Sequence, residues 1–290
     1  MIKVLDVPVE QDLSELSREL WARSIGHQIR HKGDYQEIWL ADPAYFPELL
    51  QMIRDWQQGN LANTQVVVNR RSMLDRVGYG LRAWPLTIVL LLVSALVTAG
   101  IFLETSGAIF STMTFVPVGM QNQQLIHGSL QQVLESGELW RFISPMFLHF
   151  GILHLAFNSL WVWELGRMIE EHQKSRGLLL VVVISGLAAN FAQYMVGDVL
   201  FGGLSGVVYA LLGYCWFWDK FARVPRFHVR KAVFIALMIW LVFCLVGGAG
   251  VLGLGNIANA AHIGGLIAGT LLAWLRIQLV GEGAPPGRIV

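Results

Sequence analysis

Leu200-Phe201-Gly202-Gly203-Leu204-Ser205-Gly206 opens an apolar run that continues to Trp218. Glycines around a serine let the backbone turn sharply and let a second segment approach without meeting a Cβ. A hydroxyl at the start of a helix is surrounded by backbone N–H groups that have no intrahelical acceptor. The stretch therefore suits an activated serine beside an oxyanion site. It equally suits an ordinary serine N-cap, and the residues that decide between the two lie elsewhere in the chain.

Hydrophobic residues make up 54% of the 290 residues and charged ones 14%, against roughly 25% charged in a soluble domain. That composition is of an integral membrane protein. A net charge of +1 gives no electrostatic basis for binding nucleic acid. Cys215 and Cys244 fall within apolar runs and read as buried small hydrophobes, neither a disulfide nor a metal site. Met1 to Glu10 lacks the apolar core of a cleaved signal peptide.

Six apolar segments follow residue 83: about Trp84–Leu103, Ile143–Leu165, Gly177–Met195, Ser205–Trp218, Ala232–Val246 and Ile257–Trp274. Crossing a ~30 Å hydrocarbon core takes roughly 20 residues, so the fourth and fifth are short. Arg70, Arg71, Arg76 and Arg82 precede the first segment. Arg167, Lys174 and Arg176 join the second to the third, and Lys220, Arg223, Arg226, Arg230 and Lys231 join the fourth to the fifth. The opposite loops carry no Lys or Arg until Arg141. The positive-inside rule then puts both termini in the cytoplasm and runs segments two, four and six from outside to inside.

The expected fold is an α-helical polytopic membrane protein with a small α+β N-terminal domain. Residues 1–70 form a soluble cytoplasmic domain, 71–83 a linker, 84–277 a six-helix membrane domain and 278–290 a disordered tail. Within the first part the pattern predicts strand Ile2–Val9, helix Asp12–His31, strand Tyr35–Leu40, helix Pro43–Trp56 and strand Thr64–Val68. His27 and His31, i and i+4 on that first helix, would suit a metal or simply a solvated helix face. Glu104 to Arg141, with Phe110, Met113, Phe115, Val116 and Trp140 among glutamines, reads as a partly interfacial structure in the outer leaflet.

Polar residues inside spans are costly and mark function by default. They are His149, His154 and Asn158 in the second segment, Asn190 and Gln193 in the third, Ser205 in the fourth and His262 in the sixth. Ser205 precedes Asp219 by 14 residues, His262 precedes Arg276 by 14, and His154 precedes Arg167 by 13. At 1.5 Å per residue each lies about 20 Å above the inner face, roughly 10 Å below the outer one. Core packing has no reason to match these depths. His154 and Asn158 share a helix face, as do Ser205 and Tyr209, at i, i+4. Gly265 and Gly269 share the face of His262 and allow close helix approach. Helix–helix hydrogen bonding or a water cavity would also account for His149, Asn190 and Gln193.

The chemistry of such a group is acyl transfer. His262 takes the proton of Ser205, whose oxygen attacks a peptide carbonyl, and later protonates the leaving amine. No Asp or Glu occurs at this depth, so the unit is a dyad, with Tyr209 placed to hold the imidazole by stacking or hydrogen bonding. His154, Asn158 and the Ser205 N–H would serve the oxyanion. No cofactor or metal is called for.

Gly203-Leu204-Ser205-Gly206, His154-x-x-x-Asn158, Ala261-His262 with Gly265 and Gly269, and Trp140-Arg141 together resemble the rhomboid family of intramembrane serine proteases. The likeness runs from about Trp84 to Arg276, and over the first 70 residues in layout only. It implies the bacterial type with a cytoplasmic N-terminal domain, resident in the inner membrane. It also implies cleavage of membrane-spanning substrates near their outer ends, usually after a small residue. Ser205 and His262 would be the dyad, His154 and Asn158 oxyanion donors, and Trp140-Arg141 part of the first outer loop. Partners would be transmembrane protein substrates and membrane lipid, and a homo-oligomer through the N-terminal domain stays open. Gly247, Gly248, Gly250, Gly253 and Gly255 depart from the family pattern and suggest a mobile cap. A dead relative would lack the serine or histidine, and a metalloprotease would carry His-Glu-x-x-His, which is absent. A transporter would line more than one depth, whereas the inner halves of the spans are apolar except for Glu164.

Overall fold

The structure, a computed structural model, describes residues 2–61, 80–248 and 257–281. The chain divides into two compact units, Met1–Asp75 and Arg76–Val290. The expected strand Thr64–Val68, most of the linker, most of the glycine-rich run and the tail beyond Gly281 lie outside the described residues.

In the first unit β1 (Ile2–Pro8), α1 (Ser14–Ala22), β2 (His27–Lys32), β3 (Tyr35–Leu40), a 3-10 turn (Pro43–Tyr45) and α2 (Phe46–Gln57) follow in order. The antiparallel sheet has the order β1-β3-β2. Leu16 and Leu20 from α1, Leu13 just before it, and Leu49, Met52 and Ile53 from α2 bury against Val7, Ile38 and Leu40. The helix expected over 12–31 is therefore corrected: it ends at Ala22, and residues 27–32 form a strand. The apolar helical period stops at Leu20, and Ser24 turns the chain with φ +59°. β3 then offers a strand edge that residues 27–32 pair along their full length. His27 and His31 thus do not share a helix face. His27 is buried, with Nε2 2.8 Å from Ser17 Oγ and Nδ1 3.0 Å from the Ile25 carbonyl.

The second unit is mostly helical. It contains α3 (Pro85–Leu103), α4 (Ala108–Met113), a hairpin β4 (Val118–Gln121) and β5 (Gln124–His127), and α5 (Leu130–Ser136). Two 3-10 turns (Leu139–Phe142, Ser144–Phe147) lead to α6 (Ile152–Trp161) and a π turn (Val162–Gly166). α7 (Arg167–Met195), α8 (Ser205–Phe221), α9 (Lys231–Leu245) and α10 (Asn259–Leu279) complete it. Pro85 starts α3, and the buried Glu170 carboxylate accepts from the amides of Leu86 and Thr87 at 2.8 Å each, capping donors the helix cannot satisfy.

Segment two is shorter than expected. Pro145 removes a backbone donor, so residues 144–147 make a 3-10 turn and the α-helix begins only at Ile152. His149 accordingly precedes the helix. The charged connection to segment three is helical, broken only at Lys174 (φ +62°, ψ 173°). Residues 80–83, assigned to the linker, are helical, and α10 runs two residues past 277.

Among the described residues three helical stretches are long and apolar enough to cross a membrane: Pro85–Leu103, Ile152–Met195 and Asn259–Leu279. Lys231–Leu245 is a shorter apolar helix, and α8 has 17 residues. α8 is the buried one, with eleven buried residues from Gly206 to Trp218 packed between α7 and α10. Apart from Phe221 at its end, the large exposed apolar side chains lie outside it, among them Leu96, Ile239 and Leu271, as expected where lipid is the solvent.

Residues 104–141 are folded onto the helices. Phe115, Val116, Val133 and Phe201 form a buried cluster, and the Phe115 ring meets Phe142, Phe191 and Tyr194. Arg141 is buried and donates to the Ser111 carbonyl (2.6 Å), the Thr114 carbonyl (3.0 Å) and Glu138 (2.6 Å). Trp140 Nε1 donates to the Thr112 carbonyl at 3.2 Å.

Candidate active site

Ser205 is the first residue of α8. The turn before it works only with glycine. Gly203 has φ +115°, and its amide donates to the Pro145 carbonyl at 3.0 Å. A Cβ on Gly202 would lie 2.6 Å from Leu148 Cβ, so the loop is pressed onto the segment before α6.

α10 delivers the histidine through contact between backbones. A Cβ on Gly265 would come within 1.9 Å of the Gly206 carbonyl oxygen, and one on Gly269 within 2.0 Å of that of Ala210. Side chains of any size would hold α8 and α10 apart. The close seam leaves His262 Nε2 2.7 Å from Ser205 Oγ. With Nε2 accepting, Nδ1 must carry the proton, and it has no hydrogen-bond partner among the described residues. The Tyr209 ring lies 4.9 Å from the imidazole, tilted by 42°. Its hydroxyl donates to the Leu237 carbonyl at 3.0 Å, so of the two contacts foreseen for Tyr209 the ring contact is the one made.

His154 and Asn158, one turn apart on α6, face the same place. The point where Gly203 would carry a Cβ is 2.7 Å from His154 Nε2 and 3.3 Å from Asn158 Nδ2. Asn158 is buried and its Nδ2 has no acceptor among the described residues. A buried amide donor left unspent is costly, and here it stands beside the serine loop, with the unbonded amides of the first turn of α8. The geometry suits an anion developing on a carbonyl oxygen next to Ser205.

The other polar residues brace this group. His149 Nδ1 lies 3.1 Å from the Phe147 carbonyl, and its Nε2 accepts from the Leu204 amide at 3.5 Å. Asn190 donates to the Phe142 carbonyl (3.0 Å). Gln193 donates to Asp198 (3.1 Å) and accepts from the Ala261 amide (3.1 Å), tying α7 to the residue before His262. Sequence reading did not find Met146, Gly186 and Ala189, which with Gly202 and Ser205 line a cavity of about 10 Å³. All are apolar or small, so nothing in the sequence set them apart. No group of His, Cys, Asp and Glu suited to a metal occurs among the described residues.

Comparison with known proteins supplies the family. The Rhomboid domain profile matches residues 136–279, and the Rhomboid N-terminal domain profile matches residues 1–66. The Rhomboid protease GlpG of Serratia proteamaculans is 30% identical over 288 residues, covering 94% of this chain and 96% of the relative. The chain belongs to the rhomboid family. Rhomboid protease GlpG of Yersinia enterocolitica is 31% identical over 266 residues (87% and 88% covered), and that of Pectobacterium atrosepticum 32% over 260 (85% and 86%). The protein is accordingly a membrane-embedded serine protease of the rhomboid type. The matched rhomboid domain contains every residue of the group around Ser205.

Proposed function

We propose that Ser205 and His262 form the catalytic dyad, and that the enzyme cleaves transmembrane helices of protein substrates near their outer ends. The contact of 2.7 Å between His262 Nε2 and Ser205 Oγ carries this reading. His262 removes the hydroxyl proton as Oγ attacks the substrate carbonyl. The Asn158 amide, His154 and the Ser205 N–H hold the tetrahedral oxyanion. His262 then protonates the departing amine, and water, activated by the same imidazole, releases the acyl group. Tyr209 holds the ring from one face, and Gly265 and Gly269 set the distance between the two helices. Trp140 and Arg141 fix the outer segment that shields the site.

α3, α6, α7, α8, α9 and α10 make six crossings of the bacterial inner membrane. The Lys and Arg asymmetry supports cytoplasmic termini, with α6, α8 and α10 running inward. The serine then lies about 10 Å below the outer surface. Residues 1–70 form the cytoplasmic domain, which localises, regulates or pairs copies of the protein and takes no part in catalysis; residues 71–83 link it to the membrane domain 84–277. The test is a purified protein, a labelled single-span substrate and mass-spectrometric mapping of the cut. A product cleaved in the outer third of the substrate helix is expected. Cleavage only in soluble loops would refute the reading.

A further inference from the structure

Arg82, Ala83, Trp84, Pro85, Glu170, Glu171, Lys174 and Ser175 enclose a cavity of about 230 Å³ at the start of α3, far along the chain from the serine site. Glu170 lines it too, but its oxygens are not free to take a hydrogen bond from a ligand. That carboxylate is buried and saturated by the Leu86 and Thr87 amides and the Thr87 and Ser175 hydroxyls. Three exposed charges remain: Arg82, Lys174 and Glu171, none with an ion-pair or hydrogen-bond partner among the described residues. Two cations and one anion without partners, around one opening, complement a group that carries a phosphodiester and an ammonium together.

Two further observations point to an amphiphile. Lys174 has φ +62° and ψ 173°, a region almost confined to glycine. The fold holds a charged side chain there despite the strain. Above the cavity, Val89, Leu92 and Leu96 follow Pro85 on one face of α3 at helical spacing, each at least half exposed. Leu179 follows Ser175 in the same way on α7 and is also exposed. Apolar tracks thus lead away from a polar mouth along two helices.

We propose that this cavity is a binding site for the headgroup of a glycerophospholipid with a primary ammonium. Arg82 and Lys174 hold the phosphodiester, Glu171 accepts from the ammonium, and the acyl chains follow the tracks on α3 and α7. The leaflet occupied rests on the orientation proposed above; the binding does not, so the two fail separately.

The test uses the full chain in detergent, with lipid affinity read from the rise in Tm on titration, since a ligand of the folded state stabilises it by mass action. Dioleoyl phosphatidylethanolamine is compared with dioleoyl phosphatidylcholine, dioleoylglycerol, glycerophosphoethanolamine and inorganic phosphate. The ethanolamine lipid is expected to bind more tightly than the choline lipid, whose quaternary ammonium has no hydrogen to donate. Dioleoylglycerol should give no saturable shift. The Arg82→Ala, Lys174→Ala double variant should lose at least about tenfold in affinity, the loss expected for charge-assisted bonds. Glu171→Gln should reduce the preference for ethanolamine over choline. Lys174→Gly, which removes the strain with the charge, should raise the lipid-free Tm while weakening lipid binding, and it serves if the double variant does not fold. Equal shifts with dioleoylglycerol, or variants that respond as the wild type does, would overturn the site. Saturation by inorganic phosphate at the same concentration as by lipid would make it an anion site and overturn the lipid assignment.

Discussion

Asn158 makes the sharpest claim at the scale of single residues. Its buried Nδ2 has no acceptor at rest, and an unspent donor serves only if the reaction provides the acceptor. Asn158→Ala should lower kcat by about 10- to 1,000-fold, the usual cost of one oxyanion donor, with a smaller effect on KM. Unchanged kcat would make the residue structural. The pH dependence has a definite sign: the imidazole of His262 is a base only when neutral, so the rate should rise as pH increases through the range where histidines titrate. A rate that falls as pH rises toward neutrality would argue against that role. Ser205, His262, His154 and Asn158 were legible because polar groups in apolar spans stand out, and because their depths can be counted from the flanking charges. The duties of His149, Asn190 and Gln193 were not. Their partners are the backbone or side chains of Phe147, Leu204, Phe142, Asp198 and Ala261, mostly far away in sequence. Only the fold brings them within reach.

The seam between α8 and α10 matters most at the scale of elements. Gly265→Ala would place a methyl carbon 1.9 Å from the Gly206 carbonyl oxygen, and backbone cannot give way as a flexible side chain would. Overpacking of this kind typically costs about 1–3 kcal/mol or more. The helices must part, lengthening the Ser205–His262 contact. The variant is expected to lose Tm and nearly all turnover together, whereas Ile263→Ala, at an exposed position next to the same site, should keep both. The glycine pattern announced this seam in the sequence. The N-terminal unit was harder: residues 27–32 become a strand because β3 offers an edge, a tertiary cause that local pattern does not contain. Pro145, by contrast, marks the late start of α6 in the sequence itself, within a mostly apolar segment that begins at Ile143.

At the scale of the whole molecule, a serine below the membrane surface can reach only a substrate whose outer turns unwind. Unwinding in lipid exposes backbone groups at several kcal/mol each, so a substrate must already be weak there, as Gly and Pro make a helix. Replacing Gly and Pro in the outer third of a cleaved substrate by Leu, with the residues at the cut retained, should slow cleavage about tenfold or more. Undiminished cleavage would assign recognition to side-chain pockets instead. Deleting residues 1–70 should leave activity in detergent within a few-fold, because every residue of the candidate site lies in the second unit. The central claim remains the dyad, and its most direct test is the turnover of Ser205→Ala, His262→Ala and the double variant on one single-span substrate. The account predicts that each single change abolishes cleavage and that the double change is no worse, since the two side chains act as a unit. Residual cleavage in either single variant that the double variant reduces further would show two independent contributions and contradict it.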